Sequence, residues 1–252
     1  MTRTKNTPTP DERVSAALRA GTRRAHRVVE RTVFLQAFLR GVVDRRAYAR
    51  LLHALLHVYT ALEEGLARCH AHPGLAALAA PGLARRAALR ADLELHDPSG
   101  QVARAGVSPA TRAYVERLAA VEREAPVLLA AHAYTRYLGD LSGGRVLRRL
   151  VARALELPDA RGLAFYEFPA LGDLAAFRDE YRRRLDALGS DPALIDALVA
   201  EANVAFAHNH ALFLELEGSA LRTVLSLLRG ALRPLAATAA RPQRGGRRAA
   251  AV

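Results

Sequence analysis

The sequence predicts an all-α protein built as a single domain. Ala, Leu and Arg dominate its composition, and apolar side chains recur three and four residues apart while strand-type alternation is scarce. With 252 residues, 51% apolar and 25% charged, the chain is long enough for one substantial core and short for two. The third observation is a helix of about residues 124–155 in which Leu138, Leu141, Val146, Leu147 and Leu150 keep helical spacing around Gly139, Gly143 and Gly144. Each glycine costs about 1 kcal/mol there relative to Ala. On spacing alone the glycines fit either a bent, closely packed helix pair or bare backbone lying against something flat and bulky.

The other elements follow in order. Residues 1–8 read as a flexible tail ahead of a helical domain over 9–232. Thr9 can cap a first helix, about 11–30, with Pro10 at its first position and Asp11 and Glu12 in its first turn. His26 on it is either a structural or exposed histidine or an imidazole ligand for a metal. A short helix follows over 32–41. Asp44 then caps a long one over about 45–69, with His53 and His57 four residues apart and no third ligand beside them. Pro73 and Gly74 break the chain. Helices are expected over 82–95 and, capped by Ser108 with Pro109, over 109–121, with a turn at 96–101 between them. Pro158, Gly162 and Pro169 mark a loop. A helix over 173–188 carries Arg178 and Arg182 on one face, with Arg183 adjacent. That face is either simply solvated or a pair of guanidinium forks for carboxylates. Asp191 and Pro192 start a last long helix to about 217. From 233 to 252 the chain turns rich in Pro, Gly and Arg, and reads as a disordered basic tail.

The formal net charge is +12. Such a surface attracts nucleic acid, anionic membrane, acidic proteins or anionic ligands without choosing among them. The single cysteine, Cys69, excludes an internal disulfide framework and any CxxC motif, and fits a reducing cytoplasm. No secretory apolar segment opens the chain and no run of 18 apolar residues occurs, so neither a signal peptide nor a membrane anchor is expected.

The string AHAYTRYLGDLSGG, at 131–144, closely resembles the distal helix of the heme oxygenases, which open heme to biliverdin. ALRAGTRRAHRVVE resembles their proximal helix, and HVYTALEE and GLAFYEFP resemble further segments, so that the likeness covers about residues 10–225. The resemblance implies a single-domain multi-helix fold with heme b held between a proximal helix and a kinked, Gly-rich distal helix. Heme would be both substrate and cofactor, consumed with O2 and an external electron donor. His26 would be the iron ligand and Glu30 its hydrogen-bonding partner. Asp140, Gly139, Gly143, Arg136 and Tyr59 would form the distal catalytic side. Arg19, Arg178 and Arg182 would meet the propionates, with Tyr134, Thr135, Gly144, Phe206 and Asn209 also lining the pocket. Val29 is bulkier than the small residue expected at its position, which would shift the ring slightly.

Products would be biliverdin, as the α isomer, with CO and ferrous iron. The basic surface would meet an acidic redox partner: a ferredoxin, a flavodoxin or a reductase. Three other readings are weaker. A heme carrier or sensor would keep His26 and the arginines without needing Asp140 beside the glycines. A nucleic-acid binder is disfavoured because the basic residues are spread along the chain with no clear recognition helix. A di-iron bundle lacks its Glu-x-x-His motif.

Overall fold

The computed structural model describes residues 13–40, 44–157, 159 and 161–239, with side chains as far as residue 217. The expected tail over 1–8, the cap at Thr9 and everything past Ala239 lie outside the described residues. Among the described residues every regular element is helical.

The first expected helix is two. α1 (Val14–Gly21) and α2 (Arg23–Glu30) meet at Thr22, whose hydroxyl turns back onto the Leu18 carbonyl at 2.6 Å. Such a bond competes with the helical ladder and favours a break. α3 (Val33–Leu39) follows, with the Thr32 side chain accepting from Leu35 N. α4 (Arg45–Arg68) starts where expected, with the Asp44 carboxylate accepting from Ala47 N at 2.8 Å. It is the centre of the core: Tyr48, Leu52, Val58, Tyr59 and Leu62 are fully buried along it.

Two short helices were not expected. α5 (Pro73–Leu78) starts on the proline read as a breaker, because proline is tolerated at the first helical position. α7 (Gln101–Arg104) follows α6 (Arg86–His96) through Asp97, which accepts from the Gln101, Val102 and Ala103 amides. α8 (Pro109–Glu124) is capped by Ser108 as expected, and runs one turn further than the pattern suggested.

The central glycine helix is also divided. α9 (Leu129–Ala133) leads into a π-helical turn (Tyr134–Leu138) and then α10 (Gly139–Ala154). The irregularity therefore lies one turn before the glycines. π-turns of this kind insert one extra residue into a helix and concentrate at functional sites. α11 (Leu174–Asp186) is capped by Asp173. α12 (Pro192–Ala239) continues past residue 233, where a disordered tail was expected to begin.

α12 organises the packing, touching α1, α2, α3, α4, α8, α9 and the π-turn. Its contact with α1 is close enough to need Gly21, where a Cβ would sit 2.3 Å from Val199 Cγ1.

Candidate functional site

Residues from α4, α10 and α12 meet the π-turn. α4 contributes Tyr59, which is fully buried. Its hydroxyl donates to Asp140 Oδ2, on the first turn of α10. Arg136, within the π-turn, donates from Nε to the Tyr59 hydroxyl at 3.2 Å and from Nη1 to Asn209 Oδ1 of α12 at 2.7 Å. Its Nη2 lies 3.7 Å from Asp140 Oδ1, and its guanidinium stands over the Tyr59 ring. Burial raises the Asp140 carboxyl above the usual carboxylate range, while Arg136, the Tyr59 hydroxyl and Arg85 pull it down. Burial likewise raises the Tyr59 phenol well above its ordinary value. Burial works against the Arg136 cation, but Tyr59, Asp140 and Tyr114 outweigh it and raise its pKa. The result is a largely screened carboxyl, 12% exposed and held by a fixed cation and a fixed phenol, that can take up or release a proton.

The glycines divide by face. A Cβ on Gly139 or Gly143 would meet nothing within 4 Å, so these two, four residues apart, present bare backbone to open space. Gly144 faces inward, with its Cβ position 3.7 Å from Tyr166. Thr135 is buried and its hydroxyl bonds the Ala131 carbonyl at 2.9 Å. Thr135 and Gly144 are thus not brought to the open side with the other expected residues. Gly144 lets the GLAFYEFP loop approach, and Thr135 ties down the helix ahead of the π-turn.

His26 stands on the other wall, with more than half of its side chain exposed. Nδ1 lies 3.4 Å from Glu30 Oε1, one turn on, and the ring packs edge-on against Phe206 of α12 at 5.6 Å. With a carboxylate beside Nδ1, the other ring nitrogen, Nε2, is the one left for a ligand. The two walls touch where the Tyr134 hydroxyl bonds Thr22, and the charges of Arg182 and Arg19 lie close to that phenol. Arg178, on the same α11 face as Arg182, reaches the Leu141 carbonyl of α10 at 3.5 Å. Arg182 is itself paired with Asp179.

The donor set fits a heme. One exposed imidazole stands beside a carboxylate, two glycines leave a cradle that a side chain would fill, and cationic groups gather at the edge where α1, α11 and the π-turn meet. Among the described residues no cluster of three His, Cys, Asp or Glu could hold a bare metal ion, and no helix is long and apolar enough to cross a membrane. His53 and His57 bond one another, Nε2 to Nε2 at 3.2 Å.

Other supports carried no signal that a single sequence shows. The loop behind α10 is fastened by Asp92, which accepts from Ala164 N and Phe165 N at 2.9 and 2.8 Å, by His96 on the Gly162 carbonyl, and by Arg85. The Arg85 guanidinium binds the Gly82 and Glu167 carbonyls and covers the Phe168 ring. Ahead of the π-turn, fully buried His132 bonds Glu201 of α12 at 2.9 Å, and Arg117 of α8 bonds the same carboxylate. Because a carboxylate only accepts, His132 Nε2 carries the proton. Burial would raise the Glu201 pKa, but His132 and Arg117 hold it down at about 2. His208, read as a surface or packing residue, stacks on Tyr114 at 4.9 Å.

A family profile described as heme oxygenase matches residues 12–215. Heme oxygenase 1 of Nostoc sp. is 40% identical over 211 residues, covering 84% of this chain and 89% of that protein. Human heme oxygenase 1 is 40% identical over 83% of this chain and 75% of its own length. Among solved structures, heme oxygenase-1 from Synechocystis sp. in complex with heme superposes with a TM-score of 0.81 at 40% identity, covering 87% of this chain and 99% of that one.

Proposed function

The chain belongs to the heme oxygenase family, and from that premise we propose how its residues divide the degradation of heme to biliverdin. The substrate is heme, whose iron supplies the redox chemistry that activates O2 against its own porphyrin ring.

His26 binds the iron through Nε2, and Glu30 at Nδ1 fixes the ring's orientation and raises its basicity. Phe206 holds the imidazole at its edge. A neutral imidazole is a milder donor than a thiolate and favours attack on the ring over O–O cleavage. On the other wall, Gly139 and Gly143 leave room for a small diatomic molecule and admit backbone rather than a competing ligand. Asp140 is the residue that manages protons there. Tyr59 and Arg136 orient its carboxyl, and Asn209 fixes Arg136. Water bonded to that carboxyl delivers protons to the reacting side. Arg19, Arg178 and Arg182, with Tyr134, sit where two carboxylates can be gripped, and so set the rotation of the ring and the meso carbon that is opened. The α position is the expected one.

Electrons come from an external donor. The net charge of +12 suits an acidic ferredoxin, flavodoxin or reductase. A reducing compartment such as the cytoplasm suits both that supply and a chain with a single cysteine.

The observation that carries the reading is Asp140, little exposed and with two fixed partners, directly beside bare glycines. A carrier or sensor that leaves heme intact has no use for a buried proton-holding carboxyl at that point. The test is to load the protein with hemin and add ascorbate under air. An enzyme loses its Soret band and gains biliverdin absorption, with release of CO and ferrous iron. Heme recovered unchanged after many equivalents of reductant would establish the carrier instead.

A further inference from the structure

α4 carries a second set of ligand side chains, on the side turned away from the site above. His53 and His57 stand one helical turn apart, and their contact is only partly buried. Between His57 and Tyr59 the helix rotates by about 200°, so the pair looks away from the Asp140 network. The two rings meet edge to face, with an interplanar angle of 81° and 4.7 Å between centroids. That pose brings their Nε2 atoms to 3.2 Å from one another. The helix beneath them is pinned in the core through fully buried Tyr48, Leu52 and Val58, so the spacing is held by the fold.

The separation is the informative number. Two imidazole nitrogens bound to one zinc-sized ion lie about 2.9 Å apart at a right angle and about 3.3 Å apart at the tetrahedral angle, for metal–nitrogen bonds of about 2.0–2.1 Å. The 3.2 Å seen here falls inside that interval. In the metal-free protein one proton bridges the two nitrogens, one ring donating and the other accepting. An ion takes the place of that proton, and each ring then keeps its own proton on Nδ1. Burial lowers the pKa of both rings, which leaves them neutral near pH 7, the form a metal requires. The negative charge of Asp97, where α6 gives way to α7, acts on His53 and favours a cation beside it. Neutral nitrogen donors suit first-row transition ions, whereas calcium and magnesium take oxygen. Among the described residues no third His, Cys, Asp or Glu completes the set, so water fills the remaining positions. The geometry points to a two-histidine site on α4 for a divalent first-row transition ion such as Zn²⁺, separate from the heme site.

The test is calorimetric titration of zinc chloride into hemin-saturated protein, in which His26 is already engaged. One zinc per chain is expected. His53→Ala and His57→Ala should each weaken it by about tenfold or more, because each removes one of two protein ligands. His70→Ala with His72→Ala should leave the affinity unchanged. X-ray absorption at the zinc edge, which the heme iron does not obscure, should show two imidazole nitrogens and no sulfur. Zinc should also raise the melting temperature of the loaded protein but not of either single variant, since an ion that binds only the folded state stabilises it. No zinc uptake, zinc held as tightly by either single variant, or sulfur at the zinc edge overturns the inference. Heme turnover enters none of these readouts, so the site stands or falls apart from the enzyme reading.

Discussion

The two walls of the site are built in opposite ways. On the glycine side the polar groups are little exposed and answer one another: Tyr59, Arg136, Asp140 and Asn209 form one network, and His132 with Glu201 and Arg117 forms another. On the histidine side, His26 and Glu30 are about half exposed and their contact is a loose 3.4 Å. The difference teaches which part must be finished before heme arrives. Proton management depends on preformed geometry, since a buried carboxyl with a shifted pKa cannot be assembled at the moment of reaction. An iron ligand needs only to be within reach, and the bond it forms supplies the ordering.

Five outcomes break or sharpen that contrast. His26→Ala should weaken hemin binding by more than the ~10–100-fold that losing an outer partner of a metal ligand costs. The melting temperature of the heme-free protein should stay put, because the side chain is exposed. A substantial fall in that temperature would show the histidine wall to be prebuilt as well. Asp140→Ala should keep the imidazole-ligated spectrum and lose about 100-fold in the rate of biliverdin formation, with heme diverted to peroxidase-like chemistry. Normal biliverdin output from that variant would remove Asp140 from the mechanism.

His132→Ala should lower stability by about 2 kcal/mol in urea unfolding, since it strips a hydrogen bond from a buried carboxylate. The pH dependence has a definite sign. Glu201 is held at about 2 and burial lowers the His132 pKa, so the unfolded chain binds protons that the folded chain does not. Stability from this pair is complete above the unfolded histidine value of ~6.5. It declines on acidification, first through His132 and then below the ordinary glutamate value toward 2. The urea midpoint should fall between pH 7.5 and 4, and less steeply in His132→Ala.

Gly21→Ala should cost about 1–3 kcal/mol, because its Cβ would collide with Val199 at 2.3 Å and push α1 from α12. The smallest effect is expected from Arg182→Ala, about a threefold loss of hemin affinity, as its guanidinium is partly exposed and already shared with Asp179. Loss of one product isomer's dominance in that variant would show that the arginine sets ring rotation as well as affinity.

Much of this was legible because local chemistry wrote it. The Asp44 and Ser108 caps, the periodicity of α4 and α8 and the glycine string can all be read within one helical turn. The placements that escaped depend on distant partners. Thr22 breaks the first helix through its own backbone bond, but whether it does so is decided by packing on α12. The π-turn comes before the glycines, at residues whose sequence looks regular. Glu201 sits in a largely apolar stretch, ALVAEANVAF, with no partner nearby in sequence, and only the fold brings it to His132, 69 residues away. Spacing alone placed Gly144 with Gly139 and Gly143, while helical rotation turns it toward Tyr166.

Both walls take their position from α12. Asn203 reaches the Gly21 carbonyl and Phe206 meets His26 on one side, and Asn209 holds Arg136 on the other. These anchors span six residues, about 9 Å of helical rise. Like the jaws of a caliper on a common bar, the two sides are referred to one rod, so a change in α12 over this stretch reaches both of them at once.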